Sequence, residues 1–278
     1  MNRSSTAKVR LLAVEGDAAT RRTDSLAVEE PLEIRCGGPG QQAVRVAVTM
    51  RTPGDDFALA AGFLHGEGLI GAGDVHTIKY CDDVELPEQQ YNVVTVNLRR
   101  AFDDGGLQRN FYATSSCGVC GKASIDQIEI ACAPIAEGFA VPSALLGTLP
   151  DILRDRQRVF DRTGGLHAAG LFDGTGQLLD LREDVGRHNA LDKLIGKRLL
   201  EKKVPLSETI VLVSGRASFE LVQKAAAAGV PVMCAISAPS SLAVEAATRL
   251  GVTLVGFLRD DRLNVYAHPE RVLVGAPA

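Results

Sequence analysis

The sequence predicts an α/β protein, α+β overall, in which a β-rich N-terminal part precedes an α/β domain with a largely parallel sheet. Strand-like apolar runs dominate the first half, and after Asn189 short apolar runs alternate with helical patterns. Such alternation is typical of a parallel sheet covered on both faces. The chain has 278 residues, 46% of them hydrophobic and 23% charged, which is enough to bury one or two cores.

Three segments are expected along the chain. Residues 1–28 are polar and lack sustained periodicity, so we expect a loosely ordered arm. Residues 29–140 form the β-rich domain, and residues 141–278 form the α/β domain.

In the β-rich domain, residues 31–35 and 44–48 flank a Gly-Pro turn and predict a β-hairpin. The segment Thr52-Pro53-Gly54-Asp55-Asp56 predicts a helix start, with Thr52 as the cap and Pro53 at the first helical position. Residues 76–80 and 91–98 have strand-like patterns.

In the α/β domain, residues 210–213, 232–236 and 252–257 are apolar runs that predict strands. Helical patterns at residues 217–228 and 242–250 lie between them. The three strands are therefore expected to be parallel neighbours.

Composition excludes several classes of function. The formal net charge is −4, so we expect no nucleic-acid partner and no attachment to an anionic membrane surface. No apolar run approaches the ~20 residues of a membrane span. Four of the six cysteines are scattered singly, which does not resemble a disulfide framework and favours the cytoplasm.

Small polar residues and arginines follow each predicted parallel strand. Ser214-Gly215-Arg216, residues 237–241 and residues 259–262 occupy these ends. Ligands of such sheets bind at the carboxyl ends of the strands, where phosphate meets free N–H groups and guanidinium forks, and Asp260 or Asp261 could accept from a guanine edge or a ribose. The alternative is that these residues are ordinary helix caps and solvated loop charges.

A dense cluster of ionisable residues spans positions 183–193 and runs into a helix. Such density favours a site that includes His188. The alternative places Arg187, Asp192 and Lys193 on a solvated helix face and makes His188 a surface or capping histidine. His167, after Gly164-Gly165, is a weaker case of the same kind.

Cys117 and Cys120, within Ser115-Ser116-Cys117-Gly118-Val119-Cys120-Gly121, are the one close cysteine pair. A structural zinc site would need a second pair of ligands, which the sequence lacks, so we expect no metal. A thioredoxin-like dithiol would follow a strand and open a helix. Two further interpretations remain open: an incidental pair, and a persulfide carrier on a mobile loop. For a carrier, we expect this loop to be poorly ordered without a partner.

The sequence resembles the formate dehydrogenase accessory sulfurtransferases of the FdhD family from about residue 30 to residue 274. The resemblance rests on matching blocks distributed along the chain. These blocks are residues 30–34, 52–57, 62–64, 116–121, 163–167, 183–193, 214–216, 238–243 and 256–259. The block from Glu183 to Lys193 is nearly a signature on its own.

The resemblance implies a sulfurtransferase that accepts sulfur from a cysteine desulfurase. It passes the sulfur to the molybdenum cofactor, in its bis(molybdopterin guanine dinucleotide) form, before insertion into formate dehydrogenase. Cys117 would carry the persulfide and Cys120 would assist.

The resemblance also implies a homodimer with a cytidine-deaminase-like α/β domain. The chain lacks the metal-binding elements of a zinc deaminase, so only the fold is expected to carry over. The residues expected to bind the cofactor lie at the strand ends and in the ionisable cluster. They are His188, Ser214, Gly215, Arg216, Phe257, Leu258, Arg259, Asp260, Asp261 and Arg262.

Two other functions would use the same residues. A thiol-disulfide oxidoreductase would cycle the two cysteines, and a cofactor-binding chaperone would use them only to recognise a partner. Replacement of Cys117 by Ala separates these functions, because only the chaperone would keep its activity.

Overall fold

The computed structural model describes residues 4–81, 91–103, 135, 137–260 and 262–275. The described strands are β1 Thr6–Glu15, β2 Ala18–Ala27, β3 Glu30–Gly37, β4 Val44–Arg51, β5 Val75–Tyr80, β6 Val93–Leu98, β7 Val141–Pro142, β8 His167–Asp173, β9 Leu178–Asp184, β10 Thr209–Val213, β11 Val232–Ala235, β12 Thr253–Arg259, β13 Arg262–Ala267 and β14 Val272–Leu273. The described α-helices are α1 Asp56–Gly66, α2 Ser143–Arg154, α3 Arg158–Thr163, α4 Arg187–Leu200, α5 Phe219–Ala227 and α6 Ser241–Leu250.

The N-terminal segment is ordered as a β-hairpin, so the prediction of a loosely ordered arm is wrong. β1 and β2 pair antiparallel from Thr6↔Ala27 to Glu15↔Ala18. Gly16, with φ of 60°, supplies the tight turn. The hairpin satisfies its backbone through this ladder, although most of its side chains remain exposed.

A four-stranded sheet in the order β4-β3-β6-β5 forms the centre of the β-rich part. The predicted hairpin of β3 and β4 is confirmed. Leu32, Ile34 and Val94 lie on one face of this sheet and pack against Leu59 and Leu64 of α1. This core holds α1 in place for its contact with the other half of the chain.

Helix α1 begins at Asp56, four residues after the predicted cap. Asp55 adopts the left-handed conformation with φ of 55°, and its side chain makes no capping hydrogen bond. Thr52 is buried and bonds instead to the C-terminal half, since its Oγ1 accepts from the N–H of Val185 at 3.2 Å. The predicted capping role of Thr52 and the helical position of Pro53 are therefore wrong.

The C-terminal half is built on a six-stranded sheet in the order β13-β12-β11-β10-β8-β9. The three predicted strands pair as parallel neighbours, β10 with β11 and β11 with β12. Antiparallel strands flank them on both sides. The sheet is consequently mixed, with its parallel centre where the sequence predicts it.

Both faces of this sheet are covered. Successive residues alternate between the faces, so that Val211 and Val213 meet α4, α5 and α6 while Ile210 and Leu212 meet α2.

No helix in the described part of the chain is long and apolar enough to cross a bilayer.

Helices α1 and α4 join the two halves at a close crossing. A Cβ at Gly62 would lie 1.9 Å from the carbonyl oxygen of Asp192, and a Cβ at Gly196 would lie 1.8 Å from that of Ala58. Only glycine permits this approach at both positions.

Candidate functional site

The predicted strand-end residues gather along one edge of the six-stranded sheet. The N–H of Phe257, on β12, donates to the carbonyl of Ser237 after β11 at 3.2 Å. The N–H of Ser240 donates to the carbonyl of Ala217 after β10 at 3.0 Å. Three loops from separate parts of the sequence therefore form one continuous edge, as expected for parallel strands.

The turn between β12 and β13 presents side chains outward at this edge. Phe257 is 45% exposed, and both Phe257 and Asp260 have positive φ, at 52° and 49°. Arg259 and Arg262 are exposed as well. Such backbone geometry in non-glycine residues costs energy and is found most often at functional sites.

Two predicted cofactor residues differ from the others at this turn. Leu258 is fully buried in the core, so its side chain contributes to packing at this edge rather than to an exposed binding surface. Asp261 lies outside the described residues.

The predicted binding residues after β10 differ in their surroundings. Arg216 is exposed, whereas Ser214 accepts a hydrogen bond from the N–H of Ala168 at 2.9 Å. Ser240, at the next loop, accepts from the N–H of Ala243 at 3.2 Å and caps α6. The capping alternative is thus confirmed for Ser240.

His188 forms a polar cluster with the start of α5. Its Nε2 lies 3.0 Å from Ser218 Oγ and 3.0 Å from Glu220 Oε2. The hydrogen bond from His188 is the main reason why the pKa of Glu220 falls to about 2, with Ser218 and Arg187 acting in the same direction. Glu220 therefore stays ionised beside a cationic edge.

Gly215 separates His167 from Arg187 at the same edge. A Cβ at position 215 would lie 3.4 Å from His167 Nδ1 and 3.7 Å from Arg187 Cδ. Burial, followed by the positive charge of Arg187, lowers the pKa of His167, which is neutral at pH 7. The sequence indicated His167 only weakly, and its approach to Arg187 depends on strand pairing.

Arg187 has a free donor in this arrangement. Its Nε is buried and makes no hydrogen bond within the described residues. The positive charges of Arg187 and of exposed Arg216 lie on this edge of the sheet. The side chains at this edge therefore fit a phosphate-bearing ligand.

Much of the ionisable cluster at positions 183–193 is structural. Asp184 is fully buried and lies 2.7 Å from Lys193 Nζ, and both hold the backbone of Thr52. Asn189 donates to the carbonyl of Met50 at 2.7 Å. Asp192 and Lys193 are thus buried, and the alternative of a solvated face is wrong for them.

A second buried charge pair also crosses between the halves. Lys224 Nζ lies 2.9 Å from Asp192 Oδ1 and 3.2 Å from Glu67 Oε1. Burial alone would favour the neutral amine, but the two carboxylates raise the pKa of Lys224 and keep it charged.

Cys117 and Cys120, with the loop that carries them, lie outside the described residues. Cys36 and Cys234 are fully buried, and burial raises the pKa of both thiols, to about 12 for Cys36. Since the thiolate is the reactive form, these two cysteines are packing residues. The described residues contain no group of three His, Cys, Asp or Glu side chains that could hold a metal ion.

Comparisons with known proteins place the whole chain among its relatives. Proteins curated as "Sulfur carrier protein FdhD" are 52% identical in Streptomyces coelicolor, covering 98% of this chain and 97% of the relative, and 48% identical in Mycobacterium tuberculosis, covering 96% and 98%. The corresponding protein of Saccharolobus solfataricus is 42% identical, covering 94% of this chain and 96% of the relative.

A solved structure has the same fold. The putative formate dehydrogenase accessory protein of Desulfotalea psychrophila superimposes with a TM-score of 0.75 at 26% identity, covering 97% of this chain and 100% of that one. The sequence pattern of the FdhD/NarQ family matches residues 27–273, and the chain therefore belongs to the FdhD/NarQ family.

Proposed function

We propose that this protein is a sulfur carrier that matures the molybdenum cofactor of formate dehydrogenase. It takes sulfur from a cysteine desulfurase as a persulfide on Cys117, with Cys120 assisting. It transfers the sulfur to the bis(molybdopterin guanine dinucleotide) cofactor before the cofactor enters the enzyme. The whole-length match to proteins named sulfur carriers carries this proposal.

The first transfer needs no external oxidant. The Cys117 thiolate attacks the outer sulfur of the donor's persulfide, and a new S–S bond forms at Cys117. The donor's S–S bond breaks, and its cysteine leaves as a thiolate. The buried state of Cys36 and Cys234 supports this assignment, because neither thiol is accessible to a donor protein.

The sheet edge supports the cofactor half of the proposal. Arg187, Arg216 and Arg259 offer cationic groups for phosphates, and exposed Phe257 offers a ring for stacking on a base. Asp260 can accept from the guanine edge. The molybdenum cofactor is the cargo of this edge, and the chain's own residues bind and orient it.

Mass spectrometry after incubation with a cysteine desulfurase and cysteine tests the carrier role. We expect an added sulfur on Cys117, lost in Cys117→Ala and partly retained in Cys120→Ala. Cys234→Ala serves as the control and should load normally. A Cys117–Cys120 disulfide without persulfide would favour the oxidoreductase, and full formate dehydrogenase maturation by Cys117→Ala would favour the chaperone.

Calorimetry with nucleotides tests the cofactor edge separately. GDP should bind more tightly than ADP, and Arg216→Ala and Arg259→Ala should each weaken GDP binding by about tenfold or more. Arg45→Ala, an exposed change on β4, is the matched control. Equal affinity for the two nucleotides would contradict guanine recognition.

We further propose that the carrier acts in the cytoplasm as a homodimer. Light scattering of the purified protein would give twice the chain mass of 29.5 kDa for a dimer. A mass of one chain at micromolar concentration would contradict it.

A further inference from the structure

A cavity lies along the edge strand β9, and none of the residues predicted to bind the cofactor lines it. It encloses about 510 Å³ between the loop of residues 52–55 and the edge strand β9 with the start of α3. This volume is within the usual range for sites that hold small organic ligands. The loop that closes it is the segment whose sequence suggested a helix start.

The cavity wall carries an excess of positive charge in a chain with a net charge of −4. Arg156, Arg158 and Arg182 line it. Arg156 and Arg158 are exposed and form no ion pair with any described residue. Their two guanidinium groups are available to a ligand.

The acidic groups in the wall already have partners within the protein. Both carboxylate oxygens of Glu183 accept from the start of α3, from the N–H groups of Val159 at 3.0 Å and Phe160 at 2.8 Å. Asp55 is the remaining carboxylate, and its Oδ2 lies 3.5 Å from Arg182 Nε.

Arg182 is held in place by neighbouring oxygen atoms. Its guanidinium contacts Asp180 Oδ1 at 3.0 Å and donates to the carbonyl of Leu181 at 2.6 Å. Asp180 is shared with Lys197 and Arg198, so a single carboxylate faces three cations. Arg182 Nε is buried and faces Asp55 Oδ2 at 3.5 Å without forming a hydrogen bond.

The rest of the wall is apolar. Leu166, Leu178, Leu181 and Val159 contribute to it, and Leu166 is almost fully buried. A ligand that only matched the charge would leave this surface facing water. The combination favours a molecule with an anionic end and a flat or apolar body.

We infer that this cavity is a binding site for a small phosphate ester with an apolar or aromatic body. Arg156 and Arg158 bind its phosphate at the rim, Arg182 adds positive charge in the wall, and the leucines contact the body. The site uses different residues from the predicted cofactor site and does not depend on the proposed sulfur-carrier function.

Calorimetry with phenyl phosphate and inorganic phosphate, on the full chain, tests this inference. Phenyl phosphate should bind with a single saturable site and at least about tenfold more tightly than inorganic phosphate, because only its ring buries the apolar wall. The double variant Arg156→Gln with Arg158→Gln should weaken phenyl phosphate binding by about tenfold or more. Both changes are at exposed positions, and circular dichroism checks that the fold is retained.

Two control variants show whether phenyl phosphate binds in this cavity or elsewhere on the chain. Arg162→Gln makes the same charge change at an exposed position of α3 that does not line the cavity, and Arg216→Ala alters the strand-end edge. Neither should change phenyl phosphate binding. Absence of saturable binding, equal loss with Arg162→Gln, or loss with Arg216→Ala would overturn the inference. These outcomes test only the cavity, and persulfide formation on Cys117 is tested independently by mass spectrometry.

Discussion

At the scale of residues, the pair of His188 and Glu220 shows how one contact sets the charge of the strand-end edge. His188 lies at the start of α4 and Glu220 at the start of α5, 3.0 Å apart. The carboxylate keeps a negative group beside Arg187, which limits the net positive charge that an anionic ligand meets. The pair also connects two helix starts that are 32 positions apart in the sequence.

Glu220→Gln should reduce stability in a pH-dependent way. The pKa of Glu220 is lowered in the folded protein, so its stabilisation is fully present above the unfolded value of 4.5 and is lost as the pH falls through about 2. Because the side chain is 35% exposed, we expect a loss of only about 0.5–1 kcal/mol at pH 7.

Urea unfolding at pH 7 and pH 3 measures this effect. The difference between wild type and Glu220→Gln should shrink at pH 3, whereas the exposed change Glu245→Gln should give little difference at either pH. A Glu220→Gln deficit that grows towards acid would contradict the assignment.

Cys36 and Cys234 should differ in reactivity from the pair at 117 and 120. Iodoacetamide applied to the native protein is expected to leave Cys36 and Cys234 unmodified, because both are buried and mostly protonated. Peptide mapping after labelling gives the result. Rapid labelling of Cys234 without denaturant would show that the sheet opens locally.

At the scale of elements, the crossing of α1 and α4 depends on two glycines. Gly196→Ala places a methyl group on the carbonyl of Ala58, and the nearest atoms are all backbone, which cannot rotate away as a side chain could. We expect a loss of about 2 kcal/mol or more in the free energy of unfolding. Thermal unfolding checks this prediction.

Gly71→Ala is the matched control for this substitution. A Cβ there would meet only Asp74 Oδ2 at 3.7 Å, an ordinary contact. Equal melting temperatures for the two alanine variants would contradict a close crossing.

The loop of residues 52–55 illustrates how tertiary contacts override a local signal. Thr-Pro-Gly-Asp-Asp has the composition of a helix start, but Asp184, Val185 and Lys193 bind the backbone and hydroxyl of Thr52. These bonds hold Thr52 away from the helix end, and the helix begins later. Residues 52–55 of this loop line the arginine-containing cavity.

At the scale of the whole molecule, buried charges join the β-rich half to the α/β half. Lys224 on α5 lies between Asp192 on α4 and Glu67 after α1. Lys193 and Asp184 make a second such link to Thr52. The two halves are therefore linked by buried groups whose partners lie on the other side.

Lys224→Met should destabilise the protein by about 3–5 kcal/mol, because burial already raises the pKa of Asp192 and the loss of Lys224 leaves this buried carboxyl without its partner. The double variant Lys224→Met with Asp192→Leu should recover much of this loss, since it removes both charges. Chemical denaturation of the wild type, both single variants and the double variant measures the coupling. Additive losses would show that the two side chains act independently.

Local sequence patterns were sufficient to predict the α/β class, the three parallel strands and the residues at their ends. Apolar runs such as 210–213 are regular and bounded by helical patterns, so periodicity alone identified them. The motifs that resemble the FdhD family also identified the family, and this is confirmed. The roles of Cys117 and Cys120 stay predictions.

Other features depend on contacts between distant parts of the chain. The N-terminal hairpin forms although most of its side chains are exposed, because a backbone ladder does not require a buried apolar face. Burial of Asp192 and Lys193 could not be inferred, since their partners Lys224 and Asp184 are supplied by other elements. Residues 167, 187 and 215 meet only through strand pairing, and such contacts leave no local periodic signal.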